Sequence, residues 1–591
     1  MNPFTARATK SNPSANQRVR FWYGVLMFII ILFITRLFYL QIIRHDHYRQ
    51  LALQGQLKQY SIEPERGAIK AYSGSQLVPL VLNQKLHTLY GDPKLIINSQ
   101  KTAKTLAAIT KSDESEYLKL FKKADTRYVI LAKRLSEEQK NKIDDLKLAG
   151  IGTQPVNYRI YPQGTLASQL LGFVNNQGKG SYGVEEALNK KLAGTPGMLK
   201  AITDANGVPL AASEDNIQVD PKAGEQVVLT IDVPMQKQLE RILKEGLDKA
   251  KSQSGSALII DPDTGAVKAM ANWPTYDPAE FFKVEDGDVF NNASVSSPLE
   301  VGSIMKTLTA SAALNQGVVQ PDTTYYDPGK WTLDGHNVTN IEEVGGPGTH
   351  NIADILNKSI NTGATWLLMQ MGGGEINQQA RDRWHDYMVN RYGFGNPTGI
   401  EQGYEAGGYV PSPRKGFGLS LAYANTSFGQ AMTATPLQMA AALSSVVNGG
   451  DYYKPHLVDR IVAEDGSIKI NKPEIVRKNV VSPKVGRDIQ KLMEYVVEKH
   501  TFNPKFSGNY SIGGKTGTAQ IADPSGGYYP DRYNGTYLGF VGGDKPEYVI
   551  TVRVNDPKIG GYAGSGAAQP IFGTITHMLI DNFGVPTKTN Q

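Results

Sequence analysis

Residues 302–317 read GSIMKTLTASAALNQG. Gly302 precedes a serine, and a long apolar stretch follows it. Ser303 therefore stands at a helix N-terminus, with Lys306 one turn later on the same face. A serine hydroxyl is a poor nucleophile until a base takes its proton. A lysine serves as that base when burial lowers its pKa, and the helix N-terminus stabilises negative charge growing near the serine. The same residues also read as a plain N-cap. Ser412-Pro413-Arg414-Lys415 fits S-x-x-K too, but in a Pro/Gly-rich loop (YVPSPRKGFG, 409–418) with no helix behind it.

Two more short motifs lie downstream. Ser359-Ile360-Asn361 is S-x-N between two apolar helical stretches (IADILNKSINTGATWLLMQMG, 352–372). Ser14-Ala15-Asn16 and Ser507-Gly508-Asn509 match the same pattern, so alone it discriminates little. Lys515-Thr516-Gly517 is the only K-T-G in the chain, on a predicted strand with glycine on both sides, where other groups can approach the backbone closely. Ser359 follows Ser303 by 56 residues and Lys515 follows Ser359 by 156. S-x-x-K, S-x-N and K-T-G in that order, on a helix start, an interhelical loop and a strand, form the set found in penicillin-binding proteins and serine β-lactamases. Two other matches are set aside. Gly178-Lys179-Gly180-Ser181-Tyr182-Gly183 fits G-x-G-x-x-G with Asp204 downstream, but no chain of βαβ units surrounds it and a tight turn is the simpler reading. Gly513-Gly514-Lys515-Thr516 resembles the end of a P-loop, but Asn509 stands where the phosphate cradle needs glycine.

The N-terminal end is of another kind. Residues 21–43 read FWYGVLMFIIILFITRLFYLQII, with Arg36 the only charge. As a helix they span about 35 Å, enough for a hydrocarbon core of roughly 30 Å. The preceding tail carries Arg7, Lys10, Arg18 and Arg20 and no acid, which predicts a cytoplasmic N-terminus and an extracytoplasmic body. A cleaved signal peptide fits less well, because the run is long and its flank RHDHYRQ lacks a small-residue cleavage site. Arg36 is expected to snorkel near the outer end or to meet a partner helix.

Composition narrows the rest. Of 591 residues 40% are hydrophobic and 20% charged, which excludes collagen-like and wholly disordered chains. A net charge of +6 is too small for a dedicated nucleic-acid binder, so no nucleic-acid partner is expected. With no cysteine there is no disulfide scaffold, thiolate metal site or cysteine nucleophile. The stretch 44–224 is mixed, and its charged part 112–150 reads as helices. Near Gln226 the pattern changes. QVVLTID (226–232) reads as a strand, VPMQKQLERILKEGLDKA (233–250) as an amphipathic helix, and SALII-DPDTG-AVKAMAN (256–272) as a hairpin. Helical stretches fill the middle. Strands return in GGKTGTAQI, TYLGFVGG and EYVITVRVND before a closing helix AQPIFGTITHMLIDNF. This order predicts one large α/β domain whose sheet draws on both ends of that region. The boundaries expected are 1–20 for a cytoplasmic tail, 21–43 for the membrane helix, 44–225 for a pedestal and 226–585 for the catalytic domain.

Beyond the three motifs, the chain resembles the class B penicillin-binding proteins, the monofunctional peptidoglycan D,D-transpeptidases. The resemblance runs through RGAIKAYSGSQL (66–77), RIYPQGTLASQLLGFV (159–174), GSYGVEEALNKKLAG (180–194), GEQVVLTIDVPMQ (224–236), SFGQAMTATPLQMAAALSSVVNGG (427–450) and AGSGAAQPIF (563–572). It favours the division-specific branch over the elongation branch. Two positions depart from the family pattern. Ala71 and Tyr72 replace an Asp-Arg pair, which puts the pedestal's internal salt bridges in doubt, and Val301 replaces the usual proline before Gly302.

The resemblance implies an α/β fold: one transmembrane helix, an elongated α+β pedestal, and a transpeptidase domain with an antiparallel sheet and helices on both faces. It implies acyl transfer through Ser303, with Lys306 as base and Ser359 and Lys515 relaying a proton to the leaving amine. Asn361 would hold the donor peptide's amide, and Thr516, Gly517 and Thr518 would line the carboxylate site. The backbone N–H groups of Ser303 and Thr518 would form the oxyanion hole. No metal and no cofactor are implied. The partners implied are donor and acceptor stem peptides, β-lactams, the cell membrane, a membrane glycosyltransferase of the shape and division family, and other division proteins. A hydrolase using the same groups, or a β-lactam sensor or inactive scaffold, remains the competing reading.

Overall fold

The computed structural model describes residues 13–48, 57–123, 125–202, 217–340, 347–500 and 508–589. Arg7 and Lys10 of the basic tail, Ser507 and Asp204 lie outside the described residues. Two compact units are distinguished, Met1–Pro64 with Thr195–Lys222, and Glu65–Gly194 with Ala223–Gln591. The first holds the helix Pro13–Phe38, which passes into a π-helical turn, Tyr39–Ile43. Gln17–Ile43 has a mean hydropathy of 2.4 and no burial, and is the one helix among the described residues long and apolar enough to cross a membrane. Arg36 lies over the Tyr39 ring at 5.6 Å. The same unit contains an antiparallel sheet with Gly197–Ile202 between Leu57–Ile62 and Ile217–Val219.

In the second unit the strand Gln226–Asp232 lies within a seven-stranded sheet. It runs parallel to Ile69–Ser73 and antiparallel to Val458–Val462, so segments from either side of the expected boundary share one sheet. Ile69–Ser73 continues through a hairpin into the long strand Gln76–Gly91, which pairs with Val129–Leu135 and Ile151–Ile160. Val129–Leu135 corrects the helical reading of 112–150. Helices Glu114–Phe121 and Glu137–Asp145 are present, but VILAKRL between them buries its first, third and seventh residues, the alternation of a strand. The alternation breaks at Lys133, an exposed charge at the fifth position, and at Arg134, whose φ is +62°, and this obscured it.

A buried ion triad ties this region together. Glu185 is fully buried and takes Arg66 Nε on Oε2 at 2.8 Å and Arg159 Nε on Oε1 at 2.9 Å. The region thus holds an internal ion triad although Ala71 and Tyr72 stand where the family pattern has an Asp-Arg pair. Tyr72 instead joins Asp459 Oδ2 at 2.7 Å and receives Arg460 Nη2 at 2.6 Å.

The catalytic part is built on a five-stranded antiparallel sheet in the order Val267–Trp273, Ser254–Ile260, Pro546–Asn555, Tyr528–Gly542, Ser511–Ala522. The predicted hairpin 256–272 supplies the first two strands and the chain's last strands the rest. The apolar sequence pattern covers both faces. Helices Val233–Lys249 and Gln569–Asn582 pack Leu239, Ile571 and Phe572 against Tyr537 and Val552 on one side. On the other, Leu308, Leu443 and Ile489 from the helices of the middle region pack against Leu538, Phe540 and Val549. The helix Pro436–Val447 is buried at every residue, its start closed by a capping box between Thr435 and Gln438. Ser511–Ala522 is left as an edge strand, open on one side.

Candidate active site

The apolar run after Ser303 folds as a 3₁₀ turn, Gly302–Ile304, leading into the helix Met305–Asn315. No side chain caps either element, so Ser303 is not an N-cap. Gly302 has φ +64°, and a Cβ there would meet Thr518 O at 2.8 Å and Thr518 N at 3.2 Å. That close approach, which needs glycine, sets the serine turn against the edge strand. Val301, in place of proline, keeps a helical φ of −79°, and its carbonyl receives the Thr536 hydroxyl at 2.9 Å.

The three motifs converge. Lys306 Nζ lies 2.9 Å from Ser303 Oγ, 2.5 Å from Ser359 O, 3.2 Å from Ser359 Oγ and 2.7 Å from Asn361 Oδ1. Lys515 Nζ donates to Ser359 Oγ at 3.0 Å and to Thr516 O at 3.0 Å, with Thr516 Oγ1 at 3.5 Å. Ser359 therefore sits between the two lysines. It adopts φ +56°, a left-handed conformation unusual for a residue with a Cβ, which brings both its carbonyl and its hydroxyl to the amines.

The lysines are 0% and 2% exposed, and their hydrogen-bond partners among the described residues are hydroxyl, carbonyl and amide oxygens. Burial, reinforced by the like charge of Lys515, holds Lys306 well below the ordinary lysine range. Burial alone brings Lys515 down to about 7. Lys515 is thus poised to exchange a proton near neutrality, and Lys306 is biased toward its neutral form.

Asn361 opens the helix Asn361–Gln370, and its Nδ2 donates to Thr339 O at 3.1 Å. Behind it, the fully buried Asp327 accepts Thr362 Oγ1 at 2.5 Å, while Asn340 Oδ1 receives Thr362 N–H at 2.9 Å. Thr518 Oγ1 receives the backbone N–H of Gly564 at 3.0 Å. By register Lys515 and Gly517 pair with Leu538 and Thr536, and Thr516 and Thr518 with Tyr537 and Gly535, so the two pairs alternate between faces of the sheet. The decoy Ser412 is spent on its own loop, accepting the Lys415 N–H at 3.2 Å. Gly513–Thr516 lies inside a strand rather than before a helix, which removes the P-loop reading. Gly180–Ser181 pairs antiparallel with Phe173–Val174, which removes the dinucleotide reading. Asp327, Thr339, Asn340 and Thr536 were not singled out in the sequence, because isolated Asp, Asn and Thr residues in loops and strands carry no motif.

Two buried lysines, two serines and an asparagine within hydrogen-bond reach can activate a hydroxyl, shuttle its proton and hold an acyl group. Among the described residues no group of three or more His, Asp or Glu is placed to hold a metal ion.

Comparison with known proteins agrees over nearly the whole chain. Residues 255–577 match the penicillin binding protein transpeptidase domain, and residues 61–229 the penicillin-binding protein dimerisation domain. Stage V sporulation protein D of Bacillus subtilis is 31% identical, over 98% of this chain and 88% of its own length. Peptidoglycan D,D-transpeptidase FtsI of Escherichia coli K12 is 26% identical, over 93% of this chain and 89% of its own. The crystal structure of penicillin binding protein 3 from Mycobacterium tuberculosis, complexed with ampicillin, superposes with a TM-score of 0.66 at 25% identity, over 90% of this chain and 98% of that one. A transpeptidase domain preceded by a dimerisation domain, in a chain related end to end to named D,D-transpeptidases, defines the family: the chain belongs to the class B penicillin-binding proteins and is a peptidoglycan D,D-transpeptidase.

Proposed function

We propose that Ser303 is the nucleophile of a two-step acyl transfer that cross-links stem peptides in the division septum, and that the body lies outside the cell membrane. The observation that carries the mechanism is the contact of the fully buried Lys306 Nζ with Ser303 Oγ at 2.9 Å. Neutral Lys306 takes the Ser303 proton as Oγ attacks the carbonyl of the penultimate D-alanine. The tetrahedral oxyanion is received by the backbone N–H groups of Ser303 and Thr518, donors worth about 2.7–4 kcal/mol each in acyl-transfer sites. The C–N bond breaks, and the leaving D-alanine amine gains its proton through Ser359 and Lys515. Asn361 orients the donor amide, and Thr516, Gly517 and Thr518 with Lys515 hold its carboxylate. An acceptor amine then attacks the ester, a proton returns to Ser303, and the cross-link departs. A β-lactam enters as a mimic of the donor end and stops at the ester. The ampicillin complex of the mycobacterial relative supports this.

The division role is supported by the relatives named FtsI. The sporulation protein of Bacillus subtilis favours a second reading, cross-linking in a spore envelope. A fluorescent fusion concentrated at midcell in every dividing cell supports the first, and one made only in sporulating cells the second. A membrane glycosyltransferase is the partner expected at the span Gln17–Ile43, since the matched domains are a transpeptidase and a dimerisation domain and glycan strands must be supplied to the first. The proposed boundaries remain 1–20, 21–43, 44–225 and 226–585. Protease added to spheroplasts should digest the body, and full protection would reverse the orientation. Mass spectrometry after penicillin labelling should place the adduct on Ser303 and find none in Ser303→Ala; an adduct on Ser412 would overturn the assignment.

A further inference from the structure

Glu300 lies three residues before Ser303 and belongs to no step above. The segment Leu299–Gly302 runs antiparallel along residues 429–434. Leu299 and Ala434 exchange two backbone hydrogen bonds, each 3.0 Å, and Gly302 N–H donates to Gly429 O at 3.1 Å. Gly429 has φ +83°, and a Cβ there would strike the Gly302 carbonyl. Between these two ties, Glu300 Oε1 receives the Ala431 N–H at 2.9 Å, and Ala431 is itself held at φ +56°. The same oxygen receives the Tyr528 hydroxyl, also at 2.9 Å.

Tyr528 is opposite Ala522, at the outer end of the hairpin whose first strand bears Lys515 and Thr518. Glu300 Oε2 is buried and has no hydrogen-bond partner among the described residues. A half-buried carboxyl that spends both of its contacts on one oxygen and leaves the other buried and unbonded is an expensive group to keep for stability alone. Burial also raises its pKa.

We propose that Glu300 is a positioning residue for Ser303. Its carboxyl fastens the turn carrying the nucleophile to the outer end of the hairpin carrying Lys515 and Thr518, and so fixes the gap between the Ser303 and Thr518 backbone donors. This rests on the reading of Ser303 as nucleophile. One side of the oxyanion hole belongs to the turn and the other to the edge strand. The edge strand has no further strand paired to it among the described residues, and its contact with the serine turn is at Thr518, so a second tie at the hairpin's far end restrains the end that this contact leaves free. A displacement of about 1 Å in such a site can slow the chemical step about a hundredfold.

The test uses the full-length protein in detergent and a chromogenic cephalosporin, separating non-covalent binding from the acylation rate constant, with the melting temperature measured in parallel. Glu300→Ala should slow acylation by about tenfold to a hundredfold while the binding constant stays within about twofold. Glu300→Gln keeps an oxygen for both donors and should return to within about threefold of wild type. Tyr528→Phe should be slowed by an intermediate factor and add nothing to Glu300→Ala. Full-speed acylation by Glu300→Ala, or a fall in melting temperature alone, overturns the proposal. So does a Glu300→Gln variant as slow as Glu300→Ala, which would mean that charge rather than the two bonds matters. Adduct mapping separates the layers. Wild-type label away from Ser303 removes the nucleophile and this proposal together, whereas label on Ser303 with an unslowed Glu300→Ala removes only this one.

Discussion

The Lys306 nitrogen stands 2.9 Å from Ser303 Oγ, and its two shortest contacts, at 2.5 and 2.7 Å, are with Ser359 O and Asn361 Oδ1, oxygens that can only accept. A neutral amine has two hydrogens and one lone pair. In the proposed neutral state those two acceptors can take both hydrogens, and the lone pair then faces the Ser303 hydroxyl. In the proposed mechanism that lone pair receives the Ser303 proton.

Lys306→Arg should therefore be nearly as damaging as Lys306→Ala, because guanidinium keeps its proton. Each should lose about a hundredfold or more in acylation rate, the usual scale of a general base. In wild type the rate should fall as pH drops through the lowered pKa of Lys306, since protonation removes the base. Lys515→Met removes the like charge that helps lower that pKa, so the falling limb should move to higher pH. Stopped-flow acylation across pH checks both. An arginine variant with near wild-type rate would make Lys306 a positioning group.

Lys515 also links pH to stability. Its folded pKa is lowered to about 7 from 10.5. Between those values the unfolded chain binds more protons than the folded one, so wild-type stability should rise with pH across that window. Below about 7 both states carry the proton and this contribution to the slope vanishes. The limiting slope is about 1.4 kcal/mol per pH unit for one such group. Lys515→Met should flatten the rise and raise stability at neutral pH, while acylation is slowed but stays measurable. Urea midpoints at several pH values would show it, and an unchanged slope would mean that Lys515 stays protonated in the fold.

The catalytic half was readable because its chemistry is written in short motifs on regular elements. An apolar run fixes the helix behind Ser303, glycines mark the strand around Lys515, and order with spacing binds the three together. What could not be read is what holds them there. Thr536 meets Val301 O only because Gly517 leaves room, and Glu300 meets Tyr528 across a separation of 228 residues. Such contacts are set by register and packing, which no local pattern records. The strand Val129–Leu135 was missed for the opposite reason: Lys133 and Arg134 interrupt an already weak alternation.

The triad of Arg66, Glu185 and Arg159 makes a separate prediction for the pedestal. Glu185→Ala leaves two buried guanidiniums without a counter-ion, which destabilises by about 3–5 kcal/mol. Glu185→Gln, which keeps oxygen but loses the charge, should fall in between. Because the triad joins 66, 159 and 185 without touching Ser303 or the lysines, the surviving folded fraction should acylate at the wild-type rate. A slowed rate constant at full folding would reveal coupling between pedestal and site.

Gly517 tests how tightly the serine turn is held against its strand. A Cβ at this position would run into the Thr536 hydroxyl, and it would stand 2.7 Å from Val301 O and 3.1 Å from the Ile304 side chain. The hydroxyl can rotate away, but the carbonyl belongs to the backbone that leads into Ser303. Gly517→Ala should therefore push the turn outward, destabilising by about 1–3 kcal/mol as overpacking does. It should slow acylation about tenfold or more by widening the oxyanion hole. Adding Thr536→Ala removes the first clash but also the donor to Val301 O. The double variant should thus recover part of the melting temperature and none of the rate. Recovery of both would place the strain at the hydroxyl alone and leave the serine turn undisturbed by the added methyl.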